Sequence, residues 1–131
     1  MTINIVNGTA HEINIYKRED TFTVQDGRKS ILMEGAMPIQ VIAAGTPLNC
    51  QTGNKPLYGF ANSEWLVGGV EFTSYDEIPD ADLVIVSNMF RSAVIERGGD
   101  VSKLATVFGA VYKDVKDIRP CGVLALAVGW L

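Results

Sequence analysis

The chain has one histidine, two cysteines and no apolar run of the length a bilayer requires. Each shortage removes a class of function. His11 alone cannot make a histidine-rich metal centre, and no Asp, Glu or Cys stands around it at ligand spacing. A Ser-His-Asp or Cys-His nucleophile would need that same His11 as its base, and no nucleophile sits in a recognisable elbow. Cys50 and Cys121 match no zinc spacing and form no disulfide framework, so they read as two thiols in a reducing compartment. The glycine pairs Gly68-Gly69 and Gly98-Gly99 are isolated and match no phosphate-binding loop. The longest candidate for a membrane span, residues 123–131, falls well short of the ~20 residues needed.

Positive charge is scarce as well. Eleven Lys and Arg stand against fifteen Asp and Glu, for a formal net charge of −4. Duplex or membrane-surface binding needs a broad basic face, which this balance does not supply. A small anionic ligand stays open, because a pocket needs only two or three cations and some backbone N–H groups. The expectation is a chain with no catalytic residues, no metal, no cofactor, no polymeric nucleic acid and no membrane.

What is present is an ordinary globular composition: 131 residues, 47% apolar and 20% charged. One domain, residues 1–131, is expected. The first residues carry no charged segment followed by a long apolar one, so no signal peptide is expected and the protein reads as intracellular.

Alternation of apolar and polar residues predicts many short strands. Ile3, Ile5 and then Ile13, Ile15 flank the turn-forming Asn7-Gly8-Thr9-Ala10, which predicts a hairpin over 2–6 and 11–18. A second hairpin is expected where Thr21–Val24 and 30–33 flank Asp26-Gly27. Further strands are predicted at 39–43, 48–52, 56–60, 65–72, 104–112 and 121–128. The unbroken apolar run Leu83-Val84-Ile85-Val86 reads as a strand buried on both faces. Ser87 and Asn88 are preferred helix caps. The stripe Met89, Phe90, Ala93, Val94 and the terminal Gly98-Gly99 then predict a helix over about 88–97. The fold class expected is α+β: mostly antiparallel hairpins in a sheet, with this one central helix packed on it.

The junction around 82–94 carries the most chemistry. The first N–H groups of a helix lack internal partners and suit a phosphate. Ser87 and Asn88 add a hydroxyl and an amide, Phe90 a base-stacking face and Arg91 a cation in the first turn. The plainer alternative is a capped helix with Phe90 in the core and Arg91 in solvent. In the charged turn 113–120, Arg119 precedes Pro120 and a strand, so its guanidinium could pair with a phosphate or stack on a base, or the turn could be merely solvated. Arg28-Lys29 forms a compact basic pair at a hairpin tip, either solvated or reaching a neighbouring subunit's pocket. The carboxylates Asp76, Glu77, Asp80 and Asp82 read as a solvated loop.

Asn7-Gly8-Thr9-Ala10-His11 resembles the Asn-Leu-Thr-Pro-His opening of a group of small phage and prophage proteins. Those proteins continue with hairpins, an Ile-Val-Ser strand end before a helix, similar to residues 84–88, and a closing Ile-x-Gly-Cys-like strand, similar to 118–122. Gly8 and Ala10 stand where the group has Leu and Pro. Within the group lies the first-described family of phage anti-Thoeris sponge proteins. The resemblance implies a protein that sequesters a cyclic nucleotide immune messenger without cleaving it. The messengers would be glycocyclic ADP-ribose or the cyclic di- and trinucleotides of CBASS. It also implies homo-oligomers, dimers that can assemble into hexamers, acting in the cytoplasm of an infected bacterium. Such a ligand, with two phosphates and a base, points to Ser87, Asn88, Phe90, Arg91 and Arg119, with Arg28 and His11 as secondary contacts. Two alternatives remain: an enzyme hydrolysing such messengers, with Asp82 or His11 as base, and a phage structural protein with no small ligand.

Overall fold

The computed structural model describes residues 3–24, 28–56 and 68–128. The Asp26-Gly27 turn, most of the strand expected at 56–60 and the start of that at 65–72 lie outside them. Among the described residues ten strands and one α-helix follow in chain order, with a single 3-10 turn at Arg18–Asp20: β1 (Ile5–Asn7), β2 (Ile13–Ile15), β3 (Thr21–Val24), β4 (Lys29–Leu32), β5 (Gln40–Ile42), β6 (Cys50–Pro56), β7 (Gly68–Tyr75), β8 (Leu83–Ile85), α1 (Asn88–Glu96), β9 (Leu104–Tyr112) and β10 (Gly122–Val128).

The expected α+β arrangement with a central helix is overturned. The protein is mostly β, and its main sheet runs β1-β8-β9-β10-β2-β5, with the β3–β4 hairpin added through β4 on β9. The helix has nine residues, about two and a half turns. It covers one face of β8 rather than organising the molecule. The first expected hairpin is also absent: β1 pairs in parallel with β8, while β2 pairs with β10 and β5. Four of the pairings are parallel: β1–β8, β8–β9, β2–β10 and β4–β9. Parallel neighbours need a crossover connection, and α1 is the one joining β8 to β9.

β8 explains the two cores. Leu83 and Ile85 face one side, where Ile85 packs with Ile13, Ala105 and Val123. Val84 and Val86 face the other, against Phe90, Val94 and Leu104, with Tyr75 and Leu48 at the margin. Val84 and Ile85 have no exposed surface, as the unbroken apolar run predicts. The helix forms where expected. Ser87 takes an extended conformation and its Oγ accepts the Phe90 N–H at 3.1 Å, and the Gly98 N–H donates to Ile95 O at the far end. Ser87→Ala should therefore lower stability by about 1 kcal/mol, read as a fall of a few degrees in the thermal midpoint. An unchanged midpoint would show that the cap contributes nothing.

The sheet nearly closes into a barrel because its two edge strands, β1 and β5, are stapled together by Asn7. Its Nδ2 donates to Ala43 O at 3.0 Å, just past β5, and to His11 O at 2.9 Å. Its Oδ1 accepts the Thr9 N–H at 3.0 Å and the Thr9 hydroxyl at 2.6 Å. The Gly45 N–H donates to Thr9 O across the same seam at 3.0 Å. Asn7 is the one buried polar residue among those described, and every polar atom of its side chain is used.

Candidate functional site

The parallel pairing of β2 with β10 brings segments 107 residues apart in sequence side by side. Val123 lies opposite Ile15, the Tyr16 N–H donates to Val123 O at 2.9 Å, and Asn14 Nδ2 donates to Cys121 O at 3.3 Å. The approach is close at Gly122, where a Cβ would strike the Tyr16 ring and the Asn14 carbonyl. Beside this contact opens a cleft of about 620 Å³, within the usual size range of small-molecule sites. Thr9, His11, Glu12 and Asn14 form one wall; Arg119, Pro120 and Cys121 form the other. Ile13, Val107 and Val123 add apolar surface.

Two of the seven residues singled out from the sequence thus meet: His11 and Arg119, both exposed, face one cleft. The other five do not line it. Ser87 and Asn88 are exposed at the start of α1, with Ser87 Oγ engaged as the cap. Arg91 is half-buried, and its backbone N–H makes the first-turn helical bond to Ser87 O at 3.1 Å. Phe90 has no exposed surface, and its ring meets Tyr75 edge-on with centroids 5.8 Å apart. The expected stacking face is therefore spent in the core, because the apolar stripe of a short helix must face the sheet it covers. Arg28 is exposed at the β3–β4 tip with φ 50°.

Sequence reading passed over Asn14, Thr9 and Glu12. The available signal was Asn14 itself, a polar residue between two core-facing isoleucines, on the opposite face of a short strand. Cys121 lies in the cleft with its thiol pushed above the ordinary cysteine range, first by burial; the nearby Lys113 pulls the other way and Asp117 adds to the rise. A reactive nucleophile needs the opposite shift. Alkylation of Cys121 by iodoacetamide should accordingly set in at higher pH than for an unperturbed thiol, followed by peptide mass mapping across pH. A midpoint at or below that of free cysteine would mark an activated thiol instead.

Among the described residues no three His, Cys, Asp or Glu side chains cluster to hold a metal ion. No described helix is long and apolar enough to cross a membrane. Comparison with protein families, curated proteins and solved structures finds no match.

Proposed function

We propose that the protein binds and sequesters a cyclic nucleotide immune messenger, without cleaving it, in the cleft between β2 and β10. The observation that supports this is that His11 and Arg119 line one cleft of nucleotide-compatible size. A guanidinium presents a planar fork that matches two phosphate oxygens, and His11 adds a second donor. Val107, exposed at the cleft, offers apolar surface for a base, with buried Ile13 and Val123 forming the floor behind it. The reading takes glycocyclic ADP-ribose as the ligand, with CBASS cyclic di- and trinucleotides as further candidates. It places the protein in the cytoplasm of an infected bacterium as a homo-oligomer, on the strength of the family resemblance.

A hydrolase reading has one observation in its favour, since Cys121 and His11 share the cleft. The raised thiol weighs against it, because the neutral form predominates where a thiolate would be required. One experiment separates the two. The protein is incubated with glycocyclic ADP-ribose, heat-denatured, and the supernatant assayed. Sequestration predicts that free messenger disappears in proportion to protein and returns intact on heating. Degraded product exceeding the protein in amount would overturn the proposal.

A further inference from the structure

We propose that Lys29 is a positioning residue for this cleft: it clamps the loop that presents Arg119. The inference rests on the reading of Arg119 as the cleft's anion-binding group. Lys29 opens β4, which pairs with the end of β9 at Ser30↔Val111 and Ile31↔Tyr112. Its ammonium donates to Asp117 O at 2.7 Å and to Val115 O at 3.2 Å. It also lies 4.6 Å from the centroid of the Tyr112 ring. A half-buried lysine that serves two carbonyls and an aromatic face is held far more tightly than a solvated one.

The loop is anchored at both ends. Lys29 holds it at Val115 and Asp117, and the Cys121 N–H donates to Val111 O at 2.8 Å. Arg119 lies midway between Asp117 and Cys121. Its side chain is exposed, yet the backbone entering and leaving it is tied down. Bonds internal to the loop shape its turn only: the Asp117 N–H donates to Asp114 O, and the Lys116 N–H to Asp114 Oδ1. Neither ties the loop to the sheet, whereas Lys29 does. Holding a binding group in place before the ligand arrives lowers the ordering cost of binding. Of the basic pair Arg28-Lys29, the second residue is thus the one that serves the cleft, and it acts through Arg119.

Cys121 provides a readout that needs no messenger. Iodoacetate is an anion and iodoacetamide is neutral, so the ratio of their alkylation rates at Cys121 reports the net charge beside it, in which Lys113 and Asp117 are a background common to every variant and Arg119 is the charge under test. Peptide mapping separates Cys121 from Cys50. Arg119→Ala should lower the ratio about threefold, the effect of one charge several ångström away in water. Lys29→Met should lower it nearly as far at an unchanged far-ultraviolet spectrum. Lys29→Arg, which can still serve the carbonyls and the ring, should restore it. Lys29→Gln, able to reach one carbonyl, should fall between and substitutes for Lys29→Met if that variant does not fold. The double variant Lys29→Met/Arg119→Ala should match Arg119→Ala alone. Full additivity would show that Lys29 acts by its own charge and would overturn the proposal. So would a wild-type ratio in Lys29→Met, or in Arg119→Ala, where Arg119 would not be presented to the cleft at all. A chain that takes up no cyclic nucleotide yet shows the expected ratios would defeat the sponge reading and leave the clamp standing.

Discussion

Replacing Arg119 with alanine is expected to raise the Kd for glycocyclic ADP-ribose about 10- to 100-fold, the usual worth of a charge-assisted hydrogen-bonding group. The thermal midpoint of the free protein should stay in place, because Arg119 is exposed and its truncation leaves no cavity. The loss should be recovered only in part by Arg119→Lys. A lysine keeps the charge but not the planar fork that engages two phosphate oxygens together. Affinity should also weaken as salt rises, since the cleft is open and its charge is screened. Calorimetric titration of the wild type and both variants, at low and at high ionic strength, measures all three effects. A Kd within twofold of wild type in Arg119→Ala would remove this residue from the site. The helix start at Ser87 and Asn88 would then be the next surface to test.

Asn7→Ala should destabilise the protein by about 3 kcal/mol, read as a fall of roughly 10 °C in the thermal midpoint. Four hydrogen bonds disappear together, and Ala43 O loses its donor at the seam where the sheet closes. Asn7→Asp tests the cause. The shape and the acceptor oxygen remain, but Ala43 O loses its donor and His11 O keeps only the longer bond from the Thr9 hydroxyl at 3.2 Å, while a carboxylate oxygen now faces both carbonyls, so destabilisation of at least similar size is expected. Gly45→Ala should open the same seam from the other side, since a Cβ there would run into the Asn7 carbonyl oxygen. A midpoint within about 2 °C of wild type in Asn7→Ala would show that the closure is maintained by something other than this side chain. The seam also reaches the site. Asn7 fixes the His11 carbonyl, so the same variant should weaken messenger binding by loosening one wall of the cleft.

Much of the candidate site was not legible because its parts are distant in sequence. Arg119 carried a local argument, a guided strand entry, whereas His11 entered only as a secondary contact implied by the family resemblance. Nothing in either segment indicates that β2 and β10 run side by side. Their pairing depends on complementary faces, Ile13 and Ile15 against Val123, that many other strand pairs in this chain could have offered. Phe90 illustrates the reverse error. Its place in the first turn suggested a ligand face, but the stripe it shares with Ala93 and Val94 is what buries the helix. Lys29 looked like half of a solvated basic pair, and only the placement of loop 113–121 beside β4 turns it inward.

The local elements were determined by the sequence itself. The extent of α1 follows from a Ser87 cap, an apolar stripe and Gly98. β9 spans 104–112, the apolar segment expected to form a strand, and β8 is buried on both faces as its unbroken apolar run requires. These features depend on neighbours within a few residues, where backbone sterics and side-chain periodicity act directly. Strand partners, the closure of the sheet and the cleft were decided by tertiary structure alone. Asn7-Gly8-Thr9-Ala10 has the chemistry of a hairpin turn, yet β1 goes to β8 and β2 to β10 and β5. Alternation specifies which face of a strand is apolar but not which strand that face or edge will meet. In this chain the choice is made by burying Ile85 and Ile13 in one core and by satisfying Asn7 at the seam, both of which require the whole sheet to be in place.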